Sequence, residues 1–454
     1  MSEINFSEKE RVHSRKGYFL YSLGGVTSAL PYNMVGTFFV FFYAVKVGLS
    51  LELVGLVLIL YGLWNAINDP LFGYYMDKKV TKWGRRVPYI IFGTIPLAVG
   101  FIMLWYVPWT SQILIFFHAF FMLFLFDTGF TLAITAWAAL YTEMYEEEKE
   151  RATVVAIKDT IAFTSSLIGI IFPPLIASAI GWSYTGLILG IVISITMYLS
   201  LLGTKERKEY QIDEPLPVIP AFRETLKNKP FLIMALTYTL MDCVFAITLI
   251  GLPLYAKFVL KMDDALIGFS AVGIALGALI SIPFWRWIYA NKGPKYGLLL
   301  AIGIFAGGIW SVFLTKDFIL LVFITLIPGF GIGGIIMTEV PFSAAIDYDE
   351  LITGKRREAT YNGILSLIAR LAIVLSGLAL IIVQFFFGFE AGSESQTPLA
   401  LLGLTLLVSL IPFIVAIVGF TVFSSFPINH KRFSEMQEEL KNLHEKRIEE
   451  LKKS

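Results

Sequence analysis

Apolar residues run along this chain in stretches of about twenty, each long enough as an α-helix to cross a hydrocarbon core of roughly 30 Å. Short clusters of charge separate them. Twelve spans are predicted: 18–45, 52–76, 87–107, 112–141, 154–180 and 184–203, then 230–256, 263–289, 296–314, 318–345, 359–388 and 399–426. A transmembrane β-barrel would instead alternate polar and apolar residues in segments of about ten. Composition sharpens the picture. Of 454 residues, 56% are hydrophobic and 16% charged, whereas soluble domains carry about 25% charged residues. The fold class is an all-α polytopic membrane protein, and a soluble enzyme is excluded.

The spans divide six and six around Gly203–Lys229, a basic segment with prolines at 215, 217 and 220 that reads as an extended linker. The expected organisation is a first half at 1–203, a linker at 204–229, a second half at 230–426 and a charged tail at 427–454. The tail is expected to be a solvated or interfacial helix. Lysine and arginine are retained on the cytoplasmic side of a membrane. Loops on the side of the N-terminus hold 29 of the 36 basic residues, while the opposite side holds Lys46, Lys257, Lys261 and Lys316. Both termini are therefore expected in the cytoplasm, with the chain in the cell membrane. The polar N-terminus, Met1 to Lys16, does not resemble a signal peptide. A net charge of +1 implies no nucleic-acid partner. The single cysteine, Cys243, cannot form an internal disulfide, and the four histidines show no metal-ligand spacing.

After span 2 comes Gly73-Tyr-Tyr-Met-Asp77, then Trp83-Gly84-Arg85-Arg86; a degenerate copy, Tyr289-Ala-Asn291-Lys292-Gly293-Pro-Lys295, follows span 8. This loop resembles the signature of major facilitator transporters. It implies two pseudo-symmetric six-helix halves that rock about a midplane site. Val47-Gly-Leu-Ser50, Trp64-Asn-Ala-Ile-Asn68-Asp69-Pro70-Leu-Phe-Gly73, and Asp347-Tyr348 with Gly354, Arg356 and Glu358 narrow the likeness. Over residues 17–426 the chain resembles the glycoside–pentoside–hexuronide:cation symporters.

That resemblance implies sugar entry coupled to Na⁺, Li⁺ or H⁺. The family's cation site holds two aspartates four residues apart in span 2, with a span 4 hydroxyl. Here Asp69 is kept, Asn65 replaces the first aspartate, and the hydroxyl position holds Phe130. The family's sugar carboxylates fall on Ala133 and Ala29, while its basic residues survive as Lys158 and Arg370. Gly73, Asp77, Gly84, Arg85, Arg86, Asp347, Arg356 and Glu358 are read as conformational loop residues rather than substrate ligands.

An ionisable side chain inside a span is costly and marks a functional candidate. Asp69, with Asn65, is the expected cation-coupling position. Arg370 needs an anion, and Asp69, Asp242 and Glu339 are the candidates. Asp127 is read either as a relocated substrate carboxylate or as a polar contact to another helix. Asp242 and Glu339 are candidates for substrate or proton binding, and Lys158 is read either as a substrate-binding residue or as one that snorkels to the surface. Trp137 offers a stacking face for a ring. Pro31 should break span 1 and present Asn33 to the cavity. His118 reads as a packed residue. A lone carboxylate beside Asn65 favours H⁺ over Na⁺, with Na⁺ left open. The expected function is cation-coupled symport of a sugar or related small solute by a monomer in the bilayer, without a cofactor. Lysolipid carriers share the span 2 motif, so an amphiphilic substrate is the alternative. A channel or membrane enzyme is disfavoured, since filter-like loops, HExxH and Walker motifs are absent from the sequence.

Overall fold

A computed structural model describes residues 13–78, 81, 83–145, 147–206, 225–315, 317–354 and 357–453, excluding the side chains of 74, 77, 78, 359 and 447–453. Among the described residues the regular structure is helical apart from one isolated bridge, Thr81 to Gly84. The helices are α1 (Arg15–Val47), α2 (Leu51–Lys78), α3 (Val87–Leu104), α4 (Gln112–Met144), α5 (Glu148–Ile171, continued by Pro173–Ile180) and α6 (Trp182–Leu201). Then come α7 (Lys229–Phe258), α8 (264–292), α9 (294–314), α10 (Phe318–Thr353), α11 (Thr360–Phe387), α12 (Pro398–Ser424) and the tail helix α13 (His430–Lys453).

Eleven described segments are long and apolar enough to cross a membrane. One of them, Asp264–Leu314, is 51 residues long and contains a break at Gly293, where φ is 80° and ψ is 172°. A left-handed φ suits glycine, and Pro294 cannot continue the hydrogen-bonding ladder. The break yields α8 and α9, so the described residues hold twelve such helices, the number that the apolar runs predict. This is a multi-pass membrane protein.

The chain forms two compact units. The first comprises Met1–Leu216, Lys261–Phe269 and Phe389–Gln396; the second comprises Pro217–Leu260, Ser270–Gly388 and Thr397–Ser454. Two short connections between second-half helices thus belong to the first unit. There Lys46 pairs with Asp264, and the Gly392 amide donates to the Ala44 carbonyl at 2.9 Å. Within this unit α3 and α4 touch backbone to backbone. A Cβ on Gly129 would lie 2.1 Å from the Leu97 nitrogen. Small residues permit such approach in membrane bundles, where packing replaces the hydrophobic effect as the driving force. The close α3 contact fixes the rotation of α4.

In the second unit the helices begin on side-chain caps. Asn228 accepts from the Phe231 amide at 3.1 Å, Asp317 from Leu320 at 2.8 Å and Thr397 from Ala400 at 3.1 Å. Each satisfies a backbone donor that the first helical turn leaves open.

Several sequence expectations change. The first helix continues through Pro31; its break lies at Leu23, between Arg15–Ser22 and Gly24–Phe41. Proline costs one hydrogen bond, and the rest of the ladder carries the helix across. Asp347 and Tyr348 lie on α10 rather than in a loop, because the helix runs on to Thr353 and buries Asp349 and Glu350 on its inner face. The tail helix is docked, not merely solvated. It buries Met436 and Leu440, and its His444 Nε2 meets Glu350 Oε1 at 2.9 Å. Its exposed face carries Arg432, whose pKa is raised by the hydrogen bond to Glu439. The linker prolines at 215, 217 and 220, Arg356 and the side chain of Asp77 lie outside the described residues.

Candidate functional site

Tyr61, Asn65, Asn68 and Asp69 recur at helical spacing and share one face of α2. Asp127 and Thr131, four residues apart, face them from α4. The Tyr61 hydroxyl donates to Asp127 Oδ1 at 3.1 Å. The Nδ2 groups of Asn65 and Asn68 donate to Oδ1 and Oδ2 of the same carboxylate. One turn along α4, the Thr131 hydroxyl donates to Asp69 Oδ1 at 2.8 Å and lies 3.3 Å from Asn68 Oδ1. Asn65, Asn68 and Asp127 are at most 3% exposed, while Asp69 is half-buried.

The sequence arrangement explains why this cluster survives in an apolar bundle. Donors on one helix meet acceptors on the other, so burial costs each group little beyond the exchange of water bonds for protein bonds. The stacked rings of Trp64 and Phe124, 3.9 Å apart, close one flank. Pro70 has no N–H, so the helix supplies no bond to the Ala66 carbonyl one turn earlier. One atom stands out: the Oδ1 of Asn65 is buried and accepts no hydrogen bond.

Of the two readings of Asp127, the structure shows the polar contact to another helix: it accepts from Asn65, Asn68 and Tyr61 of α2. The span 4 hydroxyl missing at Phe130 is supplied next door by Thr131. Tyr61, Asn68 and Thr131 escaped selection as candidates; their spacing with Asn65 and Asp127 was the available signal.

The other first-half candidates make contacts of their own. Trp137 is 3% exposed, its ring stacks on Tyr21 at 5.1 Å, and its Nε1 donates to the Tyr21 carbonyl at 3.2 Å. That face is taken, so Trp137 locks α4 to α1 and presents no free surface for a sugar. Asn33 donates to Ala29 O and to Ser166 Oγ at 3.1 Å, joining α1 to α5. Lys158 pairs with Asp159 at 3.2 Å and lies over the Tyr141 ring at 5.7 Å. His118 bonds Met103 O at 2.9 Å, as a packed residue would.

The second unit holds its own polar group. Asp242 lies one turn after Tyr238 on α7, and both sit in the field of Arg370; Tyr238 also feels Glu339. Arg370 and Glu339 occupy the two places where spans bend. Arg370 joins Glu358–Ala369 to Leu371–Phe387, and Glu339 follows the 3₁₀ turn Ile336–Thr338. Of the anions considered for Arg370, Asp242 and Glu339 belong to this group.

The signature loop after α2 is an ion-pair knot. Arg85 Nη2 reaches Glu143 Oε1 at 2.9 Å, Arg86 Nε lies 3.5 Å from the same oxygen, and the amides of Arg85 and Arg86 donate to Glu206 at 2.5 and 2.7 Å. Gly84, at φ 109°, admits that glutamate where a side chain would collide. Gly73 lies farther back, on α2. In the second half, Arg357 grips Asp349 with bonds of 2.8, 2.9 and 3.1 Å, while Glu358 starts the following helix from an exposed position. Asp347 accepts from Gln437 of the tail at 3.0 Å.

The MFS/sugar transport protein family matches residues 20–430. The chain belongs to this family. It is a member of the glycoside–pentoside–hexuronide:cation symporter group, a transporter and not an enzyme, and its fold is that of the major facilitators. It is 25% identical over 440 residues to the uncharacterized symporter YnaJ of Bacillus subtilis, covering 93% of this chain and 94% of that one. To the isoprimeverose transporter of Lactiplantibacillus pentosus it is 22% identical, covering 79% and 78%. To the sodium-dependent lysophosphatidylcholine symporter 1 of Gallus gallus it is 23% identical, covering 94% and 89%. Among solved structures, the nucleoside transporter NupG is similar with a TM-score of 0.67 at 12% identity, over 90% of this chain and 99% of that one.

Proposed function

We propose that this family member is a cation-coupled symporter of a sugar, glycoside or related small solute, working by alternating access in the cell membrane with both termini in the cytoplasm. The observation that carries the reading is the buried polar cluster between α2 and α4. Its two carboxylates, two amides and two hydroxyls provide oxygen ligands for H⁺ or Na⁺, and a cation bound there changes the charge that the bundle must bury. Lys158, Asp242, Arg370 and Glu339 are the proposed substrate-facing charges. Because each half carries its polar group within one chain, the monomer is the proposed working unit.

An amphiphilic, lysolipid-like solute is the second reading. Alanine at 29 and 133, where the resemblance expects sugar carboxylates, favours it. So does the 23% identity to the avian lysophosphatidylcholine symporter. Purified protein in proteoliposomes should accumulate one solute from a panel of radiolabelled glycosides, pentosides and lysolipids when a Na⁺ or H⁺ gradient is imposed. Accumulation of a panel member under neither gradient, or equilibration without concentration, would overturn coupled symport.

A further inference from the structure

The resemblance assigns cation binding to α2, where this chain has lost one of two acidic groups. Its helix geometry puts another acidic group beside the vacated place. Asp127 on α4 receives Nδ2 of Asn65 itself, together with Nδ2 of Asn68 and the Tyr61 hydroxyl. We infer that Asp127 is the second carboxylate of a sodium site completed from α4, and that this residue selects Na⁺ over H⁺ as the coupling ion. The inference rests on the symport reading above and deepens it.

Three features point to a hard metal cation. First, Asn65 is 3% exposed, and its Oδ1 is buried with no hydrogen-bond donor. Its own amide nitrogen is committed to Asp127, which turns the oxygen to the opposite side of the amide. A hard cation would satisfy that acceptor, as oxygen ligands do for such ions. Second, further oxygens lie in the same network: Asp69 Oδ1 and Asn68 Oδ1 share the Thr131 hydroxyl, and Asn68 links that pair to Asp127. Third, both oxygens of Asp127 already accept from N–H or O–H groups. A proton on either would face a donor, whereas a metal ion can share a carboxylate oxygen with such donors. With Asp127 beside it, Asn65 has two carboxylates for neighbours, and the charge of a metal ion is balanced as by an Asp–Asp pair.

The test begins with the wild-type chain in detergent at fixed pH, titrating NaCl against choline chloride at constant ionic strength. The thermal midpoint should rise with Na⁺ and not with choline, and proteoliposomes should bind ²²Na⁺. Asp127→Asn should lose both responses. The charge swap, Asn65→Asp with Asp127→Asn, returns the acidic group to α2 and should regain them. The swap separates ligation from folding, because a purely structural Asp127 would not be replaced by an aspartate on another helix. Sodium responses in folded Asp127→Asn equal to wild type would overturn the inference, as would a folded swap blind to Na⁺. The two readings fail separately. A wild type indifferent to Na⁺ that still concentrates the solute found in the panel under a pH gradient overturns the sodium site alone. A wild type that concentrates it under neither gradient overturns symport itself.

Discussion

The two halves of this molecule carry acidic groups inside apolar helices, and they stabilise them by different means. In the first half, Asp127 is held by a phenol and two amides. In the second, Asp242 lies in the field of a guanidinium, that of Arg370. Dipoles orient toward a charge without cancelling it, so the first cluster keeps its net negative charge, as the proposed cation site requires. A fixed arginine supplies the countercharge from within the chain, leaving such a group suited to orienting a solute or to breaking and reforming its pair. Position follows the same division. Asp127 lies in an unbroken stretch of α4, whereas Arg370 and Glu339 sit where spans bend. A bend is where a helix can change direction at small cost, and charges placed there can change partners with it.

This contrast can be broken by mutation. The largest effect is expected for Arg370→Leu, which leaves the acidic groups of the second half without that guanidinium. Coupled uptake should be abolished, and Asp242→Asn in the same chain should restore part of it. Wild-type uptake by the single variant would show that Arg370 is dispensable.

The signature loops sharpen the comparison next. Glu143→Gln weakens a knot whose partners are each about one-tenth exposed, and should lower stability by about 3 kcal/mol. Asp349→Asn loosens the more accessible Arg357 grip and should cost about 1–2 kcal/mol. Thermal midpoints of the two variants in detergent check the order, and equal shifts would erase the distinction. Within the first cluster, Thr131→Val removes one hydroxyl bond to Asp69 and should cost about 1 kcal/mol. Its uptake should need a higher cation concentration for half-maximal rate. The smallest effect belongs to Arg432→Ala on the exposed face of the tail helix. Exposed ion pairs contribute about 0.2–1 kcal/mol, screened by salt. Its midpoint should stay near wild type at physiological ionic strength.

Twelve spans and the family were legible in the sequence, since both depend on local order. A run of apolar residues needs no partner to declare itself a span, and Trp64 to Gly73 is a continuous motif. Asp69 was legible for the same reason. Helix ends were harder. Met144 and Thr353 lie beyond the apolar runs, because buried ion pairs extend those helices where hydropathy stops. Trp137 was misread as a stacking face because sequence position cannot show that Tyr21 already covers the ring.

Asp127 marks the division most clearly. The sequence by itself determined that an acidic residue lies within the fourth span, and that Asn65 removes a carboxylate from the second. Only the tertiary structure decided that these are one event in space. Hydrogen bonding between helices depends on their mutual rotation, and that rotation is set by contacts such as Gly129 against Leu97. Neither the Asp127 spacing nor its hydropathy records it. The chain's local pattern therefore specifies which helices exist and what they carry, whereas packing specifies which side chains meet.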